Sequence, residues 1–223
     1  MSKVKNIEEA NKKLSKIKNK YKVRKDNTYS TWFKYRVKED GCSKLKSVSL
    51  GFFLTKEEAE EIFSKFFIMN ALYGSEKTLL EIEKYKEEEN KKRLRAIGCR
   101  YKELSDAPGY FITENGDLYT TRSKKSKGFL EKKANTGSNP GGYVIFSVSI
   151  NNKKVGKSAH RLVARYFLYN FNEDLMVDHI DRNKKNNKLE NLRMVNNRQN
   201  QVNSDKFEKA KGYYYRRGVY EVK

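Results

Sequence analysis

The sequence predicts an α+β protein built from small modules: a three-stranded sheet plus a helix, a helical connector, and a second set of strands ending in a hairpin and a helix. Three observations predict it. Apolar and polar residues alternate in "STWFKYRVKE" (30–39), "GYFITENGDLYTTRS" (109–123) and "GGYVIFSVSI" (141–150), the period of a half-buried strand. Ala59, Ile62, Phe63 and Phe66 recur at helical spacing. Finally, 37% apolar against 35% charged residues in a chain of 223 can bury several small cores but not one large one.

Charge narrows the partner. Lys and Arg number 49 against 28 Asp and Glu, a formal charge of +21. Such a surplus argues for a polyanion, because each phosphate neutralised releases condensed counterions. Residues 1–30 carry 10 basic and 3 acidic side chains and residues 100–169 carry 13 and 5, whereas residues 170–203 carry 6 and 5. There is no apolar run of about 18 residues and no signal-peptide pattern, so a membrane partner is not expected and an intracellular location is. Cys42 and Cys99 are too few and too far apart for a zinc knuckle or a disulfide framework, so no structural zinc is expected.

The elements follow in order. Residues 1–20 are a basic arm, either a short helix or a flexible tail. Residues 21–74 form the sheet-plus-helix module: the strand at 30–39, a turn at Asp40-Gly41, a second strand "KSVSLGFF" (46–53), then a helix opened by a Thr55/Glu58 capping box and stopped at Gly74. Trp32, Tyr35, Phe52 and Phe53 read as its core. Residues 75–97, with 7 basic and 6 acidic side chains and a partial apolar face, read as a solvated helical connector or a helix lying along DNA. Residues 98–203 begin with a hairpin whose Asn115-Gly116 predicts a type I′ turn, followed by a second turn at Asn151-Asn152 and a helix capped by Ser158. On that helix His160 is either a ligand or a hydrogen-bonded structural histidine.

The chemistry concentrates in "VDHIDRNKKNNKLENLRMVNNRQN", Val177 to Asn200. "MVDHI" reads as a strand, "DRNKKNNKLE" as a polar loop, "NLRMV" as the returning strand, and Asn196 as a cap that places Asn200 one turn inside a helix. Such a hairpin and helix would bring Asp178 and Asn200 together with His179 beside them. A carboxylate and an amide oxygen are hard donors suited to Mg²⁺ or Mn²⁺. A neutral imidazole can take a proton from water near pH 7. Asn183, Asn186 and Asn187 read as turn residues, and Arg182, Lys184 and Lys185 as either backbone contacts to DNA or a solvated loop.

The pattern "HRLVARYF…VDHIDRNKKNNKLENLRMVNNRQN", together with the upstream "YFITENGDLYT…GGYVIFSV", resembles the HNH nuclease family with its ββα-metal fold, and closely its phage homing-endonuclease branch, over about residues 104–203. The resemblance implies a metal-dependent DNA endonuclease, a hydrolase of duplex DNA leaving 5′-phosphate and 3′-hydroxyl ends, in the cytoplasm of a phage-infected bacterium. It makes His179 the general base, Asp178 and Asn200 the ligands of one Mg²⁺ or Mn²⁺, and Asn191 the brace of the loop carrying the histidine. One centre per chain implies cutting one strand at a time, as a monomer or weak dimer. Residues 21–74, on "TWFKYRV", "LGFFLTKEEAEE" and Gly74, resemble the ethylene-response-factor and integrase type of DNA-binding domain, which makes Lys34 and Arg36 candidates for DNA contact.

The last stretch, "KGYYYRRGVYEVK" (211–223), resembles the opening strands of that same module and makes Lys211, Arg216 and Arg217 further candidates, although a strand edge protected by charge looks the same. The rival reading for the whole chain is a non-catalytic, sequence-specific DNA-binding regulator that retains the nuclease fold.

Overall fold

The computed structural model describes residues 7–18, 20–39, 42–124, 126–202, 213–216 and 219–222. The expected turn at Asp40-Gly41 lies outside them, as do Lys211 and Arg217. The chain divides into two compact units, one of Met1–Ala96 with Thr121–Leu130, the other of Ile97–Thr120 with Glu131–Lys223. Helices and small antiparallel sheets alternate in both, an α+β architecture.

In the first unit, β1 (Lys22–Val23), β2 (Tyr29–Glu39) and β3 (Cys42–Phe53) form an antiparallel sheet in that order. A bulge at Thr31/Trp32 shifts the register, and from there on directly opposed residues share a face: Phe33 with Val48, Lys34 with Ser47, Arg36 with Leu45. Side-chain alternation along β2 corrects the sequence expectation for the core. Phe33 is 3% exposed and lies in the buried cluster with Leu50, Phe66 and Ile82, whereas Trp32 is only half-buried and alternates with exposed Lys34 and Arg36 on the other face.

Helix α2 (Lys56–Tyr73) starts on the capping box, with Thr55 Oγ1 accepting from Glu58 N at 3.2 Å and Glu58 Oε2 accepting from Thr55 N at 3.4 Å. It ends where the Gly74 N–H reaches the Asn70 carbonyl. Helix α1 (Ile7–Ser15) buries Ala10 and Leu14 and packs on α2, so within the N-terminal stretch these residues are a docked helix.

Helix α3 (Ser75–Ala96) also departs from the solvated connector. Thr78, Ile82 and Leu94 are buried along it, and Tyr85 meets Phe66 edge-on at 5.6 Å. Its polar side is used as well: Asn90 Nδ2 donates to the Gly128 carbonyl at 2.9 Å while Asn90 Oδ1 accepts from Leu130 N at 2.7 Å. That amide clamps residues 121–130 onto α3, and Phe129 becomes 1% exposed beside Tyr85. The charge count hid this packing because fewer than one buried residue per turn, Thr78, Ile82 and Leu94 along the helix, is enough when the partner surface is small.

In the second unit, β4 (Tyr101–Glu103), β5 (Tyr110–Thr113), β6 (Leu118–Thr120) and β7 (Glu131–Lys132) make a four-stranded sheet. The β5–β6 turn is not type I′: only Gly116 has positive φ, at 84°, the Gly116 N–H bonds to the Thr113 carbonyl, and Thr113 N donates to the Asp117 carbonyl. This is a type I turn closed by a left-handed glycine. The ribbon of β8 (Ile145–Ile150) and β9 (Lys153–Ser158) does turn on two positive-φ residues, Asn151 at 48° and Asn152 at 62°. Helix α4 (Ala159–Phe167) follows directly. Ser158 stands at its N-cap position but makes no side-chain cap bond, since it still pairs with Ile145 in the ribbon.

The hairpin of β10 (Met176–His179) and β11 (Leu192–Val195), separated by a loop and a 3-10 turn at Leu189–Asn191, leads to α5 (Asn197–Val202). Its Val177, Leu192 and Val195 join Leu162, Val163, Ile112 and Leu118 in and around one core. Near the C-terminus β12 (Tyr213–Arg216) pairs with β13 (Val219–Val222), which places Arg216 in a strand.

Packing of α3 sets a test. Ile82 is fully buried, so Ile82→Ala is expected to lower unfolding stability by about 2–5 kcal/mol, read by chemical denaturation. A solvated connector would show about 0.5 kcal/mol or less.

Candidate functional site

The site is built on four residues of β10 and four of β11. Antiparallel pairing sets Asp178 opposite Arg193 and His179 opposite Leu192, and the ladder continues as Ile180 N donates to the Asn191 carbonyl at 2.9 Å. Alternation along β10 sends Val177 and His179 to the side of α4 and Met176 and Asp178 to the side of α5. The acid and the imidazole are thus adjacent in the chain but anchored on opposite faces of the ribbon.

Asp178 is buried, and its Oδ2 accepts from Arg193 Nε at 3.0 Å and from Nη2 at 2.8 Å. Sequence reading passed over Arg193. The signal was present, since two residues of a short hairpin at matched distances from its loop face each other.

The loop after His179 is organised by Asp181. Its Oδ1 accepts from Asn183 N at 2.8 Å and from Asn191 Nδ2 at 2.8 Å, and its Oδ2 accepts from Asn186 Nδ2 at 2.7 Å. Asn191 answers with Oδ1 on Asp181 N at 3.0 Å and a second Nδ2 bond to the Asn186 carbonyl at 2.8 Å. The Asn186 amide first, then the Asn191 amide and the Asn183 N–H, hold the Asp181 carboxyl below the usual carboxylate range. Arg182, at φ 62°, sits in the left-handed region inside this turn.

His179 is 3% exposed. Its Nε2 meets Asn187 Oδ1 at 3.2 Å, and Asn187 Nδ2 donates to the Lys185 carbonyl at 3.0 Å. The ring lies 5.2 Å from that of His160 and 5.9 Å from that of Tyr143, which in turn is 4.6 Å from His160. His160 is therefore buried beside the other histidine, 19 positions along the chain, a proximity that local spacing does not reveal. Of its two ring nitrogens, Nδ1 is buried and has no hydrogen-bond partner among the described residues. Burial, then the charge of His179, pushes the His160 pKa down to about 4.

The N-terminal turn of α5 is fixed by a reciprocal cap, with Asn196 Oδ1 accepting from Gln199 N at 2.9 Å and Gln199 Oε1 from Asn196 N at 3.0 Å. Asn200 comes one turn in, its N–H on the Asn196 carbonyl and its Nδ2 3.3 Å from Met176 Sδ. Met176 and Asp178 share a face of β10, so Asn200 lies on the Asp178 side of the ribbon. With the nitrogen on sulfur, oxygen remains the ligand atom of that amide. Among the described residues no three His, Cys, Asp or Glu side chains gather as a metal site. One carboxylate plus one amide oxygen instead fits a hard divalent ion that keeps waters and takes further oxygens from a substrate.

The basic candidates divide. Lys34 and Arg36 are exposed on the sheet of the first unit. Lys185 is exposed in the Asp181 loop, but Lys184 is engaged: its Nζ donates to the Gly141 carbonyl at 2.8 Å and lies 4.9 Å from the Tyr143 ring centre. Among the described residues no helix is long and apolar enough to cross a membrane.

Residues 157–202, from the end of β9 through α5, match the family model described as HNH endonuclease. The chain is 36% identical over 99 residues to a protein of Acanthamoeba polyphaga mimivirus named "Uncharacterized HNH endonuclease L245", covering 44% of this chain and 28% of that one. It is 32% identical over 108 residues to the H-N-H endonuclease F-TflI of Escherichia phage T5, covering 46% of this chain and 50% of that one. A solved structure titled "DNA binding and cleavage by the HNH homing endonuclease I-HmuI" aligns at 30% identity with a TM-score of 0.41, over 47% of this chain and 56% of that chain. The chain thus spans about half or less of the length of these proteins. Asp178, His179, Asn191 and Asn200 all fall inside the matched segment.

The depressed His160 pKa has a measurable sign. Unfolded, the ring takes a proton below its ordinary 6.5; folded, it does so only near 4. The folded state is therefore fully favoured above pH 6.5 and is expected to lose about 1.4 kcal/mol per pH unit as pH falls toward 4. Denaturation series across that window should show a shallower slope for His160→Phe than for the unmodified chain.

Proposed function

We propose that this chain is a divalent-metal-dependent DNA endonuclease of the HNH homing type, hydrolysing one phosphodiester bond per centre. The observation that carries the reading is the two-sided hairpin: Asp178 and His179 are consecutive on β10, the Asp181 loop is braced by Asn191, and Asn200 sits on the Asp178 face. Asp178 and Asn200 would hold one Mg²⁺ or Mn²⁺. When bound, such an ion neutralises a phosphate oxygen and the charge growing on the leaving 3′ oxygen, so that 5′-phosphate and 3′-hydroxyl ends result. His179 takes the proton of the attacking water. Arg193, already on the Asp178 carboxylate through Nε and Nη2, keeps that side chain aimed until substrate arrives.

Affinity comes from elsewhere. Lys34 and Arg36 on the exposed sheet of the first unit, with Arg182 and Lys185 near the centre, are the proposed contacts to duplex DNA; Lys184 contributes less directly, by fixing Gly141 beside the His179 pocket. Lys211, Arg216 and Arg217 are further proposed contacts to DNA. With one centre, a monomer or weak dimer would nick. We place the enzyme in the cytoplasm of a phage-infected bacterium, where such DNA is found.

The Arg193–Asp178 pair is also what a non-catalytic DNA-binding regulator would show, an arginine standing in for the cation. The two readings separate cleanly. On duplex DNA with Mg²⁺, His179→Ala is expected to slow cleavage by about 10²–10⁴-fold or more while DNA affinity stays within about twofold. Unchanged cleavage in the variant, or binding without cleavage by the unmodified chain in both Mg²⁺ and Mn²⁺, would overturn the nuclease reading.

A further inference from the structure

Asn187 looks from its sequence like one more turn asparagine in "NKKNN", yet it is 5% exposed, while its neighbours Lys185 and Lys188 are exposed. Both ends of its amide are committed. Nδ2 donates to the Lys185 carbonyl, a group that can only accept, so the amide cannot be flipped without setting oxygen against oxygen. Oδ1 therefore faces His179 Nε2 at 3.2 Å, and an acceptor there requires a proton on Nε2. The imidazole's lone pair is then placed on Nδ1.

What keeps Asn187 in that position comes from a distant part of the chain. A Cβ on Gly116 would stand 2.6 Å from the Asn187 Cβ and 2.9 Å from its carbonyl oxygen, so only glycine admits the approach, and at φ 84° only glycine adopts the backbone without strain. One bond further on, Leu189 N donates to the Glu114 carbonyl at 2.8 Å. The β5–β6 turn is thus pressed directly against the residue that holds the imidazole.

We propose that Asn187 is a positioning residue that sets the tautomer and ring orientation of His179, and that Gly116 holds Asn187 in place through the β5–β6 turn. The role in catalysis rests on the nuclease reading above; the tautomer does not. Asn187 touches no reacting atom. It ensures that the nitrogen able to accept a proton from water is always the same one, Nδ1, where an unconstrained neutral imidazole distributes its proton over both nitrogens.

The test joins a spectroscopic and a kinetic readout on the full chain. Proton–nitrogen correlation spectra of ¹⁵N-histidine-labelled protein at pH 8.5 should show His179 protonated on Nε2, with His160→Phe used to assign the two rings. Asn187→Leu and Gly116→Ala should both give a mixture of tautomers or the Nδ1-protonated form. On duplex DNA with Mg²⁺ they should lower kcat by about 10²–10⁴-fold, with the Kd for DNA within about twofold and a folded far-ultraviolet spectrum. Asn187→Asp retains an acceptor for Nε2 but sets its second oxygen against the Lys185 carbonyl, so it should favour the Nε2-protonated ring more than Asn187→Leu does and cleave at a rate between that variant and the unmodified chain. A His179 protonated on Nδ1 in the unmodified protein, or an Asn187→Leu variant with unchanged tautomer and unchanged kcat, overturns the proposal. If Gly116→Ala proves unfolded, Asn187→Leu and Asn187→Asp alone decide it. An Nε2-protonated His179 in a chain that does not cut DNA would support the positioning and sink the nuclease reading, so the two failures are distinguishable.

Discussion

The register of one four-residue strand pair governs the site. Because side chains alternate with period two, the pairing of Asp178 with Arg193 and of His179 with Leu192 decides which goes toward α5 and which toward α4. A slip by one residue would exchange them, placing the carboxylate against Leu162 and Val163 of α4 and the imidazole on the side of α5. Burial opposes that slip strongly. Val177, Leu192 and Val195 are each under 8% exposed in the core, and full burial of such a side chain contributes about 1.5–3 kcal/mol. The polar chemistry is thus located by apolar residues that take no part in it.

The loop closing this hairpin shows a second constraint. Nine residues between His179 and Leu189 must return the chain while leaving no buried polar group unsatisfied. Asparagine suits this because one side chain both donates and accepts. Asn191 uses that capacity on Asp181 and Asn186, and Asn187 uses it on Lys185 and His179. The loop also carries Arg182, Lys184, Lys185 and Lys188 against Asp181, and the asparagines supply the acceptors that those cations lack.

What the sequence revealed was what short-range geometry determines. The Thr55/Glu58 box and the Asn196 cap involve residues three apart, and their hydrogen bonds form as the pattern predicts. The Asn151-Asn152 turn was readable for the same reason. At Asn115-Gly116 the same dipeptide logic failed, because the turn is shaped by its need to receive Asn187 and not by hairpin twist alone. Along β2 the buried residues are Thr31 and Phe33, with Tyr35 next in the alternation, so Trp32 falls on the other face; the strand's hydrophobic residues alone do not say which parity faces the helices. His160 beside His179, Asn187 against Gly116 and Asn90 between Gly128 and Leu130 are all contacts across long sequence separations, and their partners carry no mark of one another.

His160 illustrates why such a contact persists. A buried imidazole with an orphaned Nδ1 is a cost, since an unsatisfied polar atom forgoes its hydrogen bond with water, by about 1–3 kcal/mol. Leucine or phenylalanine would fill the space without it. What they would lack is an aromatic ring that stays neutral beside His179 yet carries a polar edge, packed 4.6 Å from Tyr143 and 5.2 Å from the second histidine. With its pKa near 4, His160 adds no positive charge to this pocket at neutral pH. His160 itself therefore adds no charge behind the proposed base, while the Lys184 ammonium stands 4.9 Å from the Tyr143 ring centre and Arg193 lies on the Asp178 carboxylate.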